Sequence, residues 1–265
     1  MLMKKIYLIL MAVSLALIGW GVCKTQVVGF SLQESFSEEN SLVMFVNSIH
    51  QRDDFYNIQV EYPQFADAGD AFNKKISSLI EGKTESFKKD ARDNYAARRE
   101  TALPEDPLPE HPELKFDFIG SWEPAQLNND YISFVVYLYY YVGGAHGAAE
   151  VHAFNYDLKD EREIALLDFL NSSQQNFEKL ADLSKQKVSL QLENEGTELD
   201  SFLEEMIENG TEPTQENYKD FNFNYNSLTV YFQKYQVAPG VAGPITIVFY
   251  ENELDENSID SRYLE

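Results

Sequence analysis

Alternating apolar and polar residues predict β-strands along much of the chain. In Tyr56–Tyr62 every second residue is apolar, which places these side chains on one face of a strand that Pro63 is expected to end. Strand-like runs follow at 115–122, 131–142, 151–158, 228–233 and 245–250. The run 131–142 (YISFVVYLYYYV) is apolar on both faces and rich in aromatic and β-branched residues, as is typical of a central strand.

Apolar residues spaced by three and four predict helices between these strands. A long helix begins at Asp70, a suitable N-cap, and continues to about Tyr95. A short amphipathic turn or helix follows at 164–170, and residues 173–209 have helical spacing that ends at Asn209-Gly210. The sequence therefore predicts an α+β fold. We expect an antiparallel sheet packed by a long helix in the first half, and mixed strands and helices in the second.

The N-terminus has the layout of an export segment. Lys4 and Lys5 precede an uncharged run of 18 residues from Ile6 to Cys23. That length is also the lower limit for a membrane-spanning helix, so residues 1–24 are interpreted as a signal peptide or a membrane anchor. Cys23 allows a lipoprotein interpretation, although Trp20 and Val22 depart from the usual lipobox.

This segment leads to a predicted domain organisation and location. We expect residues 25–54 to form a tether or N-terminal strand, residues 55–142 and 143–254 two α+β subdomains, and residues 255–265 an acidic tail. The protein is expected to be exported, either anchored to the cell membrane with an extracytoplasmic domain or released after cleavage, with no cytoplasmic domain.

Composition narrows the classes of partner. The chain has 265 residues with a net charge of −23, which disfavours nucleic acid as a partner. An aromatic content of 14% argues against disorder, and a single cysteine excludes an intrachain disulfide.

The charges are unevenly distributed along the chain. Residues 193–220 contain ten carboxylates and only Lys219 as a base, whereas the predicted helix at 74–99 has eight basic residues. Both are interpreted first as solvated surfaces.

The densest group of chemically active residues is YLYYYVGGAHGAAEVH at 137–152. On an extended chain His146, Glu150 and His152 share one face, as zinc ligands would. A straight strand nevertheless separates positions 146 and 152 by about 20 Å at roughly 3.3 Å per residue, so no metal site is expected. No nucleophile elbow, Walker loop, dinucleotide fingerprint or His-Glu-x-x-His occurs in the sequence. We therefore predict no cofactor and no catalytic residues.

Two patches carry a resemblance to a known family. The first is Tyr140-Tyr-Val-Gly-Gly-Ala-His-Gly with the following Phe154-Asn-Tyr-Asp-Leu and Ile164-Ala-Leu-Leu-Asp-Phe-Leu, and the second is residues 228–244 (LTVYFQKYQVAPGVAGP). In this order they resemble the extracytoplasmic domain of the lysozyme-sensing anti-sigma-V factor (RsiV). They are also similar to the non-catalytic N-terminal region of the peptidoglycan deacetylase PdaC. The resemblance covers residues 55–254, with a PdaC-like first subdomain and an RsiV-like second one.

The resemblance implies an envelope domain that binds a ligand without acting on it. The implied partner is a cell-wall glycan or a cationic envelope protein such as a lysozyme, and an acidic surface suits the latter. The sigma-binding segment and the deacetylase domain are not expected in this chain. The predicted ligand-binding residues are Tyr139, Tyr141, Gly143, Gly144, His146 and Tyr235.

Two other functions stay open from the sequence. One is an envelope glycan-modifying enzyme that uses His146, Glu150 or Asp157 as acid–base groups. The other is a self-associating structural protein of the envelope, with the aromatic strand at 131–142 as its interface.

Overall fold

A computed structural model describes residues 42–101, 115–144, 146–254 and 258–263. The predictions for residues 1–24, for most of the tether and for residues 103–114, where four prolines indicate an extended loop, lie outside the described residues. Within the described ranges, no helix combines the length and apolar character needed to cross a membrane.

The first half of the chain forms a six-stranded sheet and one long helix. The elements are β1 (Met44–Arg52), β2 (Tyr56–Phe65), α1 (Asp70–Thr101), β3 (Phe116–Leu127), β4 (Tyr131–Tyr141), β5 (Ala148–Asp157) and β6 (Arg162–Glu163). The strands lie in the order β1-β2-β3-β4-β5-β6. Every neighbouring pair is antiparallel except β2 and β3, which are parallel.

The second half adds three helices and a three-stranded antiparallel sheet. The helices are α2 (Leu166–Phe169), α3 (Gln174–Asn194) and α4 (Ser201–Gly210), and the strands are β7 (Phe221–Asn224), β8 (Ser227–Phe232) and β9 (Ile245–Tyr250), in that order in the sheet. The side chains of Ser173 and Asp200 accept backbone N–H groups at the starts of α3 and α4, as N-caps do.

The predicted α+β fold is confirmed, with differences in detail. The sheet is mixed because α1 carries the chain back across it, so that β3 enters beside β2 in the same direction. Pro63 does not end β2: beyond Val60 this strand pairs only with β1, so the proline nitrogen does not interrupt a second ladder. The region 173–209 is two helices separated by a turn in which Gly196 has a φ of 84°.

Strand β4 is buried on both of its faces. Ile132, Phe134, Val136 and Leu138 point to the side covered by α1 and share its apolar cluster. On the other face, Val135 packs against Val151 and against Tyr231 of the three-stranded sheet. β5, which lies beyond the predicted boundary at 142 and 143, pairs with β4 along its whole length. The predicted division into subdomains stays a prediction.

A buried polar seam joins the two sheets. The Ser133 hydroxyl donates to Asn155 Oδ1 at 2.7 Å and accepts the Phe223 N–H at 3.0 Å. The Asn155 side-chain amide donates to the Phe221 carbonyl at 2.6 Å. These buried polar groups form hydrogen bonds with one another, so burying them leaves none of them unpaired. The bonds fix the position of β7 against β4 and β5.

The C-terminal segment contributes to the core. In the described part of the predicted acidic tail, Ile259 and Tyr263 are buried, and Tyr263 is fully so. The Tyr263 ring stacks on Phe169 with 5.5 Å between centroids and also contacts Phe223. Its hydroxyl has no hydrogen-bond partner among the described residues.

This packing predicts that two substitutions of Tyr263 change the free energy of unfolding by very different amounts. Tyr263→Ala is expected to lower the free energy of unfolding by about 3 kcal/mol, because it leaves a cavity among aromatic rings. Tyr263→Phe keeps the ring and removes an unpaired hydroxyl, so it is expected to change that free energy by less than about 1 kcal/mol. Chemical denaturation of the two variants beside the unsubstituted protein measures both. Equal losses in both would show that the ring packing does not stabilise the fold.

Candidate ligand-binding site at the edge of strand β5

Strand β5 has an edge that the second half of the chain covers only in part. β6 pairs with Tyr156 and Asp157 at its end. Further back, the side chain of Gln233 pairs with Val151: the Val151 N–H donates to Gln233 Oε1 at 3.3 Å, and Gln233 Nε2 donates to the Val151 carbonyl. The buried carboxylate of Asp220 accepts the Ala153 N–H at 3.1 Å. Two side chains thus take the place of a neighbouring strand.

A cleft of about 440 Å³ opens where this cover ends, beside the first residues of β5. It lies between α1, the β4–β5 pair and the turn after β8. Its lining residues are Lys83, Tyr140, Ala148, Ala149, Glu150, His152, Lys219, Asp220, Gln233, Lys234 and Tyr235.

Glu150 is the centre of a hydrogen-bonded group on one wall of the cleft. Its Oε2 lies 3.0 Å from His152 Nε2 and 2.5 Å from Lys83 Nζ, and its Oε1 accepts the Tyr140 hydroxyl at 2.9 Å. The hydrogen bond from His152, aided by Lys83 and Tyr140, lowers the pKa of Glu150 to about 2. Burial, together with the Glu150 carboxylate, raises the pKa of Tyr140 to about 12. Glu150 is therefore ionised and Tyr140 is neutral at physiological pH.

The opposite wall presents cationic and aromatic groups. Lys219 pairs with Glu216 at 2.5 Å, and the Lys234 ammonium lies 5.1 Å from the centre of the Tyr235 ring. Tyr235 is 65% exposed and has a φ of 70°, and its ring lies against Gly240, where a side chain would collide with it. The cleft thus has three lysines against the carboxylates of Glu150 and Asp220, in a chain of net charge −23.

The structure distributes the predicted ligand-binding residues over two places. Of the six predicted ligand-binding residues, only Tyr235 lines the cleft. Tyr139, Tyr141, Gly143, Gly144 and His146 lie at the end of the β4–β5 hairpin, where Tyr139 is 43% exposed and His146 is exposed. Their role as ligand contacts stays a prediction.

The glycines of this hairpin accommodate the protein's own side chains. Gly143 has a φ of 98°, and a Cβ there would collide with the Arg98 guanidinium, which lies over the Phe116 ring. The Tyr139 ring occupies the space beside Gly147 in the same way. The Tyr141 hydroxyl donates to the Gly144 carbonyl at 3.1 Å, which closes the turn.

The residues considered as acid–base groups do not form one site. Glu150 and Asp157 lie at opposite ends of β5, about 23 Å apart at roughly 3.3 Å per residue. Asp157 is buried and accepts the N–H groups of Lys159 and Asp160 in the following turn. His146 is exposed and does not line the cleft. Within the described ranges, no group of three or more His, Cys, Asp or Glu side chains is arranged to hold a metal ion.

Most cleft residues were not predicted from the sequence. Gln233 and Lys234 stand directly before Tyr235 in the second resemblance patch, so that patch was the available signal. Lys83 lies on α1, far from Glu150 in the sequence, and only the fold brings the two side chains together.

The low pKa of Glu150 predicts a pH-dependent contribution to stability. Because this pKa is below the ordinary value of 4.5, the contribution is complete above about pH 4.5 and is lost as the pH falls towards 2. Glu150→Gln is expected to lower the free energy of unfolding by roughly 2 kcal/mol at pH 7, with the difference from the unsubstituted protein vanishing near pH 2. Denaturant titrations between pH 2 and 7 measure it.

The control is Glu163→Gln, which removes a surface ion pair with Lys75 in which both side chains are about half exposed. It is expected to change the free energy of unfolding by less than about 1 kcal/mol. A Glu150→Gln effect that stays constant over the whole pH range would contradict the assignment of the ionised Glu150 as the stabilising species.

Comparison with known proteins supports the resemblance expected from the two patches. Residues 49–149 match the family model described as deacetylase PdaC, and residues 168–249 match that of a protein of unknown function, DUF3298. Peptidoglycan-N-acetylmuramic acid deacetylase PdaC of Bacillus subtilis (strain 168) is 23% identical over 201 residues, which are 76% of this chain and 38% of that protein. The chain thus spans well under half the length of this relative.

A solved structure shares the fold of this chain. A DUF3298 family member from Bacteroides fragilis NCTC 9343 superposes with a TM-score of 0.55 at 16% identity, over 83% of this chain and 94% of that one. A DUF3298 family protein from Pseudomonas aeruginosa PAO1 gives a TM-score of 0.49 at 12% identity, over 89% and 93% of the two chains. The chain therefore combines a PdaC-like region with a DUF3298-like region, and these similarities associate it with the cell envelope.

Proposed function

We propose that this protein is a non-catalytic, envelope-associated binding domain that takes peptidoglycan into the cleft at the edge of β5. The observation that carries the proposal is the composition of this cleft: an exposed aromatic ring, amide and carboxylate groups, and three lysines line one concave surface. A relative of this chain is named as a peptidoglycan deacetylase, and the matched region covers 38% of it.

The cleft chemistry suits an anionic glycan with attached peptides. The exposed face of Tyr235 is a stacking surface for a sugar ring, and the neighbouring polar side chains can exchange hydrogen bonds with hydroxyl and amide groups. Peptidoglycan also carries carboxylates, which lysines bind by charge-assisted hydrogen bonds. Lys234 has no ion-pair partner among the described residues, so its charge is available to a ligand.

The state of Glu150 favours binding over catalysis. A carboxylate with a pKa of about 2 is a weak base at neutral pH and holds no proton to donate as an acid. Its oxygens already accept hydrogen bonds from His152, Lys83 and Tyr140. We therefore assign this group to the shape and charge of the cleft wall.

A second candidate partner is a cationic envelope protein of the lysozyme type. The observation that favours it is the surface around α4, where nine of the ten carboxylates between 193 and 220 are exposed. A surface of this kind attracts a basic protein by long-range electrostatics. Glu205 and Glu212 of this surface do not line the cleft, so substitutions there test this candidate separately from the first proposal.

Sedimentation with purified peptidoglycan sacculi tests the first proposal. The full chain is expected to bind, and the double variant with Lys219→Gln and Lys234→Gln to bind about tenfold more weakly, a loss of about 1.4 kcal/mol of binding free energy. The matched control is Lys185→Gln, an exposed lysine that pairs with Glu208 away from the cleft, which is expected to bind as the unsubstituted protein does. No binding to sacculi, or equal binding by all three proteins, would overturn the proposal.

Titration with hen egg-white lysozyme, a basic protein, tests the second. Binding is expected to weaken severalfold when Glu205→Gln and Glu212→Gln are combined, and to weaken further as salt is raised. Glu85→Gln, an exposed carboxylate on α1 that pairs with Lys88, is the control and should have no effect. Lysozyme binding that is equal in both variants would remove the α4 surface as the contact.

A further inference from the structure

The hydrogen bonds along the outer edge of β5 follow a fixed alternation. The backbone N–H groups of Val151 and Ala153 point away from β4, to Gln233 and Asp220 respectively. The Asn155 carbonyl points the same way and accepts the Ile164 N–H at 3.1 Å. Because successive residues of a strand alternate in direction, the N–H and C=O of Ala149 also point to this edge.

The protein itself shows what chemical group this edge accepts. The Gln233 side chain ends in a primary amide, which presents one donor and one acceptor side by side, as the N–H and C=O of a single strand residue do. It meets both the N–H and the carbonyl of Val151, and Asp220 Oδ2 holds it in place by accepting from Nε2 at 2.8 Å. One position of the edge is thus already occupied by an imitation of a neighbouring strand.

Ala149 is the next outward-pointing position, and it lies in the cleft. No described residue pairs with its outward groups. The side chains at Ala148 and Ala149 are small, so a second backbone can approach this edge closely. The cationic side chains of Lys219 and Lys234 line the same cleft.

We propose that the cleft recognises the peptide part of its ligand: the backbone of an acidic peptide pairs with the outward N–H and C=O of Ala149, and a carboxylate of that peptide is bound by Lys219 and Lys234. Backbone pairing at an exposed edge is an established mode of peptide binding, in which neighbouring side chains supply selectivity. The proposal rests on the proposed function and specifies which component of peptidoglycan is read. The glycan then contributes less to affinity than the peptides attached to it.

Amide hydrogen exchange of the full chain, read residue by residue, tests the pairing directly. The probe is the mixture of free peptides released from sacculi by an amidase. At saturation, exchange at the Ala149 N–H is expected to slow at least about tenfold, because the amide becomes hydrogen-bonded. Val151 and Ala153 are internal references, since their N–H groups are already bonded in the free protein. Binding without protection at Ala149 would overturn the proposal.

A pair of variants adds a second test. Ala149→Pro removes the outward N–H at an edge position, where proline leaves the β4–β5 ladder intact, and is expected to weaken peptide binding about tenfold. Ala149→Ser keeps the N–H and is expected to bind as before. Equal binding by the two variants, with unchanged thermal unfolding, would contradict backbone pairing at Ala149.

Peptide-free glycan strands distinguish failure of this inference from failure of the proposed function. They are expected to bind at least tenfold more weakly than intact sacculi. Equal binding of both materials would overturn peptide recognition and leave peptidoglycan binding in place. Absence of binding to intact sacculi would overturn both.

Discussion

Strand β4 is apolar on both faces, and the arrangement of the whole chain follows from the need to cover each of them. A sheet buried on one side needs a single layer of cover, whereas β4 needs two. Helix α1 supplies the first, and its return across the sheet makes β2 and β3 parallel. The second half of the chain supplies the other, and the seam formed by Ser133 and Asn155 holds it in register.

The site is a consequence of where the second cover ends. β6 pairs with only two residues of β5, so the rest of that edge is left to side chains from the loops around β8. Gln233 and Asp220 accept hydrogen bonds from the N–H groups of Val151 and Ala153, but neither side chain bonds to Ala149. The cleft begins at the next outward position, Ala149, and α1 brings Lys83 to its far wall. An edge that a fold leaves uncovered must be protected or used, and charged groups around it discourage pairing with another copy of the chain.

The sequence predicts the parts of this molecule whose pattern is long and repetitive. Helix α1, the two-sided strand β4 and the late strands β8 and β9 follow from spacing alone, whereas β6 and β7, with two and four residues, are too short to show a period. The site is harder to predict because it joins separate elements. Tyr235, predicted as a ligand contact, lines the cleft, but Lys83 and Glu150 meet only through packing of α1 on the sheet. Gly143 and Gly147 make room for Arg98 and Tyr139.

The net charge of −23 acts on the two proposed partners in opposite ways. It acts over a distance and is screened by salt, whereas the lysines of the cleft act by direct contact with the ligand. Charges more than a Debye length away, about 8 Å at physiological salt, are largely screened, so carboxylates at that distance hardly weaken the binding of an anionic ligand by lysines within the cleft. At low salt the Debye length grows to about 30 Å and the same surface repels an anionic ligand before it arrives. A cationic protein is instead attracted by this surface at low salt, and the attraction weakens as salt is raised. Moderate salt therefore favours the cleft ligand relative to a basic protein, and in the ionic environment of an envelope the local lysines outweigh the charge of the whole chain.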